Sequence, residues 1–362
     1  MRGSVAIVYN DPCTSRYDDS GEEKAVLDVL DTVEAVHQAL LQLDFDAVRV
    51  PLAPPLAEVE RKLNSLNTDL VFNLFEGFYD HPETEALVPE ILSQAGIPTT
   101  GCPSSMLGLA LDKAKVKTLL NAAGIPTPRF QVLNPRTLHL FRLDYPCIVK
   151  PRCEDASLGI SPESVVNDFA ALERQSRLVS SCHGGDVLVE EFIDGREFNA
   201  TVLGDSTHSV LPISEIAYSL PPGMPRILTL AAKWEPNSLY FQATKAICPA
   251  DLETEDQKRI VETVRAAFEL VGGRGYARVD MRMSDDGELH VIEVNPNPDI
   301  SPDAGAALQA AAAGMSYNEF IEEIVRLALD EKNNENQYSP DDLRRQRQHR
   351  RNAVQYSGIQ TL

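Results

Sequence analysis

Short apolar runs alternate with stretches of helical spacing along the first hundred residues. The apolar runs predict strands at residues 5–9, 47–51 and 70–75. Apolar positions that recur every three to four residues predict helices at 24–43, 56–66 and 82–96. This alternation is typical of an open, mainly parallel α/β domain, which we place at about residues 1–100.

The later part of the chain contains more predicted strand. Strands are predicted at 145–150 and 186–193, and helices at 111–123, 252–271 and 317–329. We assign a small central α+β domain to residues 101–188 and a second α+β domain to residues 189–330. Residues 331–362 are polar, and we expect a disordered tail there. The arginine-rich run at 344–351 is either an interaction segment or a solvated chain end.

A β-hairpin is predicted between residues 278 and 295. The dipeptide Asp286-Gly287 is a strong signal for a two-residue turn. Such a turn pairs Asp285 with Glu288, and this pair sets the register of both strands.

Counted outward from that turn, Glu293 lies opposite Asp280 and Asn295 lies opposite Arg278. All four side chains point to one face, because side chains alternate along a strand. Directly opposed carboxylates repel one another, whereas Mg²⁺ prefers carboxylate oxygens completed by phosphate and water. The hairpin therefore predicts a magnesium site. The alternative is a solvated sheet face neutralised by Arg278 and Arg282.

Charge and composition exclude several classes of partner. The chain has 362 residues and a formal net charge of −21, which argues against nucleic acid. No apolar run reaches the length of a membrane span, and the N-terminus lacks the pattern of a signal peptide. Six scattered cysteines without a C-x-x-C motif indicate reduced thiols. We expect a cytoplasmic protein.

The sequence contains neither a P-loop nor a G-x-G-x-x-G fingerprint, so nucleotide binding needs another arrangement. Lys150 ends an apolar strand, where an ammonium group suits a phosphate. A lysine whose head remains in water gives the same pattern. The small polar loop at 152–159 offers backbone N–H groups to phosphate oxygens.

Several motifs, taken in order, resemble the ATP-grasp superfamily, and most closely the D-alanine–D-alanine ligase-like proteins. They are G-I-P-T-T-G at 96–101, D-K-A-K-V-K at 112–117, A-G-I-P-T-P at 123–128, I-V-K-P at 148–151, V-E-E-F-I-D-G-R-E-F at 189–198, A-A-K-W at 231–234, and R-V-D at 278–280 with E-V-N at 293–295. The resemblance covers about residues 1–330. It implies an ATP-grasp fold, in which the two α+β subdomains clasp ATP.

The resemblance also implies a nucleotide site. Its residues would be Lys113, Lys150, Ser157, Glu190, Phe192, Ile193 and Glu197. Lys113 and Lys150 would contact phosphates and the adenine edge, Glu190 and the backbone at 192–193 would hold adenine, and Glu197 would bind the ribose.

The same resemblance implies the reaction. Lys233 would reach the γ-phosphate, and Asp280, Glu293 and Asn295 would hold two Mg²⁺ ions, with Mn²⁺ as a substitute. A substrate carboxylate would form an acyl phosphate, and an amine would then displace phosphate to give an amide. Arg278 would stabilise both stages. The partners would be a small-molecule carboxylate and amine, and a homodimer is possible.

Departures from the family pattern lie where the substrates bind. Glu76 stands where the family has histidine and is either a surface acid or an anion that faces a substrate amine. Asp299 replaces a glycine, and Asp303 adds a second charge nearby. Acids here repel a free α-carboxylate, so we expect an amine other than D-alanine.

Two further substitutions leave questions open. The family glutamate that holds the first amino group has no single match here, since Glu22, Glu23 and Asp28 all lie near its position. Ala156 replaces a serine in the phosphate loop. The rival functions are an authentic D-alanine–D-alanine ligase and a nucleotide-binding module without catalysis. A third is an interaction role carried by the tail.

Overall fold

A computed structural model gives the structure of the chain. It describes residues 2–11, 23–78, 81–154, 159–204 and 209–337, and within these ranges it leaves out the side chains of 23–28, 230, 234 and 331–337. The described residues form three layers of sheet, each covered by helices.

The N-terminal layer is a parallel sheet with the strand order β2-β1-β3. Its strands are β1 (Ser4–Asn10), β2 (Asp46–Leu52) and β3 (Leu70–Leu74). The helices between and after them are α1 (Glu23–Gln42), α2 (Leu56–Asn64) and α3 (Leu87–Gln94). The predicted α/β alternation is confirmed, and a short 3₁₀ turn at Pro82–Ala86 precedes α3.

Two short helices follow the N-terminal layer, and the second confirms the helix predicted at 111–123. They are α4 (Ser104–Ala110) and α5 (Lys113–Ala122). The chain is extended at Asp112, whose side chain accepts a hydrogen bond from the backbone N–H of Lys115. An aspartate in this position caps a new helix, so α5 begins two residues after the predicted start. Helix α4, which precedes it, was not predicted.

The central layer is an antiparallel sheet with the order β4-β7-β5-β6. Its strands are β4 (Phe130–Leu133), β5 (Cys147–Pro151), β6 (Val165–Val166) and β7 (Val187–Glu191). Helix α6 (Phe169–His183) packs on it and begins at Asp168, whose carboxylate accepts from the N–H of Ala171. The sequence reading did not include this helix.

The third layer is an antiparallel sheet with the order β11-β10-β8-β12-β13, and β9 pairs with β8. Its strands are β8 (Gly195–Leu203), β9 (Ser209–Val210), β10 (Ser214–Tyr218), β11 (Thr244–Ile247), β12 (Tyr276–Ser284) and β13 (Leu289–Asn295). Three helices lie between these strands: α7 (Leu230–Trp234), α8 (Leu239–Ala243) and α9 (Thr254–Leu270).

Two helices follow the third sheet, α10 (Gly305–Ala312) and α11 (Tyr317–Gln337). Helix α11 extends eight residues beyond the predicted end at 329. It therefore includes the first residues of the predicted tail. Residues 338–362, including the arginine-rich run, lie outside the described part of the chain.

The hydrophobic cores join segments that are distant in sequence. Phe320 and Ile324 of α11 pack with Phe72 of the N-terminal sheet. Met106 of α4 packs with Phe198 of the third sheet. The N-terminal and third layers thus pack against helices from other parts of the chain, and the division at residues 100, 188 and 330 stays a prediction.

The turn of the β12–β13 hairpin differs from the prediction. The backbone N–H of Ser284 donates to the carbonyl of Glu288 at 2.9 Å, and that of Gly287 donates to the carbonyl of Ser284 at 2.9 Å. Three residues, 285–287, therefore form the loop. The predicted two-residue turn is wrong by one residue.

A β-bulge at Ile292 restores the predicted register. Ile292 stands between the pair that contains Val291 and the pair that contains Glu293, and it has no partner of its own on β12. In a regular strand Val291 and Glu293 share a face. The bulge instead lets Val291 and Val294 both face the core while Glu293 and Asn295 face the opposite side.

Close approach of β8 and β12 makes Gly195 hard to replace. A Cβ at Gly195 lies 1.9 Å from the carbonyl oxygen of Met283, whereas a Cβ at Gly108 in α4 meets nothing closer than 3.9 Å. We expect Gly195→Ala to lower the free energy of unfolding by about 1–3 kcal/mol. Gly108→Ala should raise it by about 0.5–1 kcal/mol. Urea denaturation of the two variants measures both effects, and equal midpoints would contradict the close approach.

Candidate active site

A cavity of about 440 Å³ lies where the three layers meet. Glu76 after β3, Lys150 of β5 and Asp280 of β12 all line it. Its volume is in the range of ligand pockets, and such pockets favour interfaces between structural units. All residues that were predicted to bind nucleotide or metal or to act in catalysis, and that lie within the described ranges, line this cavity.

One row of polar side chains crosses four strands of the third sheet. Ser214 of β10 pairs with Asn199 of β8, Asn199 pairs with Asp280 of β12, and Asp280 pairs with Glu293 of β13. Paired residues share a face of the sheet, so this row faces the cavity that all four residues line. The predicted register of Asp280 and Glu293 is confirmed.

A hydrogen bond from helix α10 fixes the orientation of the Asn199 side chain. Sequence analysis did not identify Asn199 as a cavity-lining residue. Gln309 of α10 is fully buried and donates to the side-chain oxygen of Asn199 at 2.7 Å and to the hydroxyl of Ser214 at 3.0 Å. Its own side-chain oxygen accepts from the N–H of Thr201 at 2.8 Å. No local motif identifies Asn199, because its position depends on strand register.

Both acids of the row are paired with cations. Nε of Arg278 donates to Asp280 at 2.7 Å and Nη2 donates to its other oxygen at 2.9 Å. Lys113 pairs with Glu293 at 2.7 Å. Burial disfavours the charge of Glu293, but Lys113, Lys150 and Arg278 outweigh it and lower its pKa to about 2. Glu293 is therefore ionised at neutral pH.

The donor atoms of this face suit a hard cation. Asn295 lies one row away, opposite Arg278, and its side-chain oxygen accepts from the N–H of Asn297 at 2.9 Å. Across the described ranges no three His, Cys, Asp or Glu side chains gather into a metal site. The set of two carboxylates and one amide oxygen fits Mg²⁺ that takes its other ligands from phosphate and water.

Glu190 lies between two lysines at the central sheet. One carboxylate oxygen lies 2.8 Å from Nζ of Lys150 and the other lies 3.3 Å from Nζ of Lys117. Lys117 also donates to the hydroxyl of Thr127 at 2.8 Å. Burial lowers the pKa of Lys117 to about 8, although Glu190 opposes the shift. Lys117 is the last residue of the D-K-A-K-V-K motif, and the sequence alone indicates no role for it.

Arg282 joins the predicted adenine and ribose residues. It donates to the carbonyl of Ile193 at 2.9 Å, pairs with Glu197, and lies 5.2 Å from the ring centre of Phe192. The hydroxyl of Tyr218 donates to the same oxygen of Glu197 at 2.8 Å. The sequence assigned Arg282 only a charge that could neutralise the acidic face of the hairpin. In the structure Arg282 pairs with Glu197.

Lys233 is the cation of the cavity that comes from helix α7. Burial lowers its pKa and nearby Arg278 lowers it further, whereas Asp280 and Glu293 act in the opposite direction. Its side chain forms neither a hydrogen bond nor an ion pair with any of the described residues. Its ammonium group is thus available to an anionic ligand.

The end of the cavity near the N-terminal sheet is acidic. The backbone N–H of Glu76 donates to the side chain of buried Asn10 at 2.9 Å, which fixes this loop. Glu85 accepts from the side chain of Asn297 at 2.8 Å. Sequence analysis missed Glu85, Asn297 and Asn10, because their contacts join residues far apart in the chain.

Of the two acids expected after β13, only Asp299 lines the cavity. Its carboxylate accepts from the N–H of Ser301 at 2.8 Å and from the hydroxyl of Ser301 at 3.1 Å. Asp303 is exposed and does not line the cavity. The expected second charge at the substrate end is therefore wrong.

Some predicted residues cannot be placed. Ser157 and Ala156 of the phosphate loop lie outside the described residues, and so does Glu22. Glu23 and Asp28 belong to α1, but their side chains are not described. The residue that would hold the first amino group therefore stays undecided.

The family model for the C-terminal part of D-alanine–D-alanine ligases matches residues 119–326, more than half of the chain. The chain belongs to the D-alanine–D-alanine ligase family. An uncharacterised protein of Sinorhizobium fredii is 35% identical over 72% of this chain and 74% of its own length. The D-alanine–D-alanine ligase of Cupriavidus taiwanensis is 29% identical over 74% of this chain and 78% of that protein.

The fold of the ligase family extends over almost the whole chain. The crystal structure of a D-alanine–D-alanine ligase from Bacillus anthracis has a TM-score of 0.70 and 21% identity, covering 92% of this chain and 100% of that one. The predicted ATP-grasp fold is confirmed. Family membership makes this ligase an ATP-dependent, ADP-forming enzyme that forms amide bonds, so a module without catalysis is not favoured.

Among the residues that the structure describes, no helix combines the length and apolar character that crossing a membrane requires.

Lys117 should give this ligase a distinctive pH dependence of stability. Its folded pKa of about 8 lies below the ordinary value of 10.5, so the unfolded chain binds more protons between these pH values. The free energy of unfolding should therefore rise with pH in this window. Its rise should exceed that of Lys117→Met by on the order of 2–3 kcal/mol.

Urea denaturation at several pH values measures this difference. Lys115→Met is the matched control, because Lys115 lies on the same helix with its side chain 64% exposed. Its curve should run parallel to that of the wild type. A Lys117→Met curve that also runs parallel would show that Lys117 does not titrate in this window.

Proposed function

We propose that this ligase binds Mg-ATP in the cavity, converts a small-molecule carboxylate into an acyl phosphate, and transfers the acyl group to an amine other than D-alanine. The observation that carries the proposal is the pairing of Asp280 with Glu293 in a cavity whose lining includes the four cations of the predicted site. These cations are Lys113, Lys150, Lys233 and Arg278.

The first step needs positive charge around the transferring phosphoryl group. Lys113, Lys150 and Lys233 line one continuous cavity and offset the charge of the phosphates. Asp280, Glu293 and Asn295 would hold Mg²⁺, with two ions expected and Mn²⁺ as a substitute. The bound metal supplies Lewis-acid stabilisation of the phosphoryl oxygens. The substrate carboxylate attacks the γ-phosphorus, and ADP leaves.

The second step forms the amide bond. The neutral amine nitrogen attacks the acyl carbon, and a tetrahedral oxyanion develops. The oxyanion collapses as the bond from carbon to the phosphate oxygen breaks, and the departing phosphate takes the proton that the nitrogen loses. Arg278 is fixed by two hydrogen bonds to Asp280, so its charge is oriented before reaction begins. A preorganised cation of this kind stabilises charge that appears only in the transition state.

The amine substrate is defined by the charges at the far end of the cavity. Glu76, Glu85 and Asp299 line this end, and Ala304 at the start of α10 brings no hydroxyl group. Three acids disfavour a second carboxylate on the incoming amine. We therefore infer an amine that lacks a free carboxylate beside its nitrogen and that is cationic or neutral elsewhere.

Glu293→Gln tests the metal site directly. The variant keeps the shape of the side chain but removes the negative charge that pairs with Lys113 and that would bind Mg²⁺. We expect ATP-dependent phosphate release to fall by about 100-fold or more, while circular dichroism stays unchanged. Glu288→Gln is the matched control, since Glu288 precedes the same strand with its side chain 61% exposed. Activity of Glu293→Gln equal to that of the control would remove the metal assignment.

A substrate panel tests the choice of amine. Purified protein with ATP, Mg²⁺ and mixed carboxylates is offered D-alanine, other amino acids, and amines without a carboxylate, and products are identified by mass spectrometry. We expect amide products from amines without a carboxylate at rates at least about 10-fold above those with D-alanine, because the acids that line this end of the cavity repel a carboxylate. Phosphate release stimulated by D-alanine alone would overturn this assignment of the amine but not the ligase chemistry.

A further inference from the structure

Two consecutive residues, Pro126 and Thr127, form hydrogen bonds with the outer edge of strand β13. Among the described strands β13 is the last of its sheet, so this edge has no strand beside it. The N–H of Val291 donates to the carbonyl of Pro126 at 2.8 Å. The hydroxyl of Thr127 donates to the carbonyl of Val291 at 2.7 Å. Both outward backbone groups of Val291 are therefore bonded by the segment that follows α5.

Val291 is the residue immediately before the bulge at Ile292. The position of that bulge decides which face of the sheet Glu293 occupies, because a shift of one residue moves a side chain to the opposite face. A bulged residue has no ladder bonds of its own to hold it. The bonds from Pro126 and Thr127 thus fix the place where the register changes.

Thr127 also connects this edge to the central sheet. Its hydroxyl accepts a hydrogen bond from Nζ of Lys117 at 2.8 Å, and Lys117 lies 3.3 Å from Glu190. Thr127, Lys117 and Glu190 are 7%, 1% and 1% exposed, so water does not readily replace these contacts. The hydroxyl of Thr127 thereby connects the backbone of Val291 to Glu190 of the central sheet, with Lys117 between them.

We propose that Thr127 is a positioning residue that holds Glu293 toward the metal through the bulge and holds Lys117 against Glu190. The proposal rests on the proposed function of Glu293 as a metal ligand. Valine has the shape of threonine without its hydroxyl, so it removes the hydroxyl that bonds the carbonyl of Val291 and leaves Glu190 as the remaining side-chain partner of Lys117. The effect of this loss on metal binding separates positioning from simple support of the fold.

The test is metal affinity measured without turnover. Mn²⁺ is titrated calorimetrically into the full chain in the presence of a non-hydrolysable ATP analogue. We expect Thr127→Val to weaken Mn²⁺ binding by about 10-fold or more. Thr127→Ser keeps the hydroxyl and should restore affinity to within about 3-fold of the wild type. Thr127→Cys, a weak donor of similar size, should lie between them and serves if the valine variant does not fold.

Thr100→Val is the matched control. Thr100 is 1% exposed, and its hydroxyl accepts from the backbone N–H of Asn73 at 3.0 Å in the N-terminal layer. This variant should lose stability comparably and retain the Mn²⁺ affinity of the wild type. The proposal is overturned if Thr127→Val, or Thr127→Cys in its place, binds Mn²⁺ as the wild type does. It is also overturned if Thr100→Val weakens binding equally, or if serine restores nothing. A wild-type protein that binds no Mn²⁺ with the analogue would instead remove the proposed function.

Discussion

The paired acids Asp280 and Glu293 constrain the rest of the structure. Carboxylates directly opposed on two strands repel, and partial burial strengthens that repulsion. Arg278 and Lys113 each supply an ion pair at 2.7 Å that makes the arrangement tolerable. Ion pairs of this kind add little net stability, because the loss of hydration offsets most of the attraction. Their place in a cavity of about 440 Å³ therefore indicates binding of a charged ligand, not support of the fold.

The surrounding cations come from separate parts of the fold. Lys113 begins α5, Lys150 lies near the end of β5, Lys233 lies on α7 and Arg278 lies on β12. No single segment carries a complete site, so the positive field exists only when helix α5, the central sheet and the third sheet with helix α7 are assembled. This distribution explains how the chain binds phosphates without a glycine-rich loop that leads into a helix. Charged side chains from several elements replace the backbone N–H groups that such a loop provides.

The local part of the site could be predicted from sequence, and the tertiary part could not. The hairpin and the pairing of Asp280 with Glu293 followed from an Asp-Gly signal and strand alternation. The loop is one residue longer than predicted, and the bulge at Ile292 offsets that error. The bulge is held by Pro126 and Thr127, whose contact with β13 no local pattern reveals. For the same reason, the sequence indicated no role for Lys117 or Asn199 and not the observed role of Arg282. Their hydrogen-bond partners are 10 to 110 residues away in the chain.

The balance of charge around the proposed metal site also bears on the amine that the site would admit. Two nitrogens of Arg278 are committed to Asp280, and burial of the guanidinium is outweighed by Asp280, Glu293 and Asp299, which raise its pKa. A guanidinium surrounded by three acids attracts a substrate carboxylate weakly, since each acid offsets part of its field. It still opposes negative charge that develops within hydrogen-bonding distance during reaction. Interactions that strengthen only in the transition state raise the rate without tightening ground-state binding. Such an arginine is suited to an acyl-transfer step in which the incoming amine carries no carboxylate for it to bind.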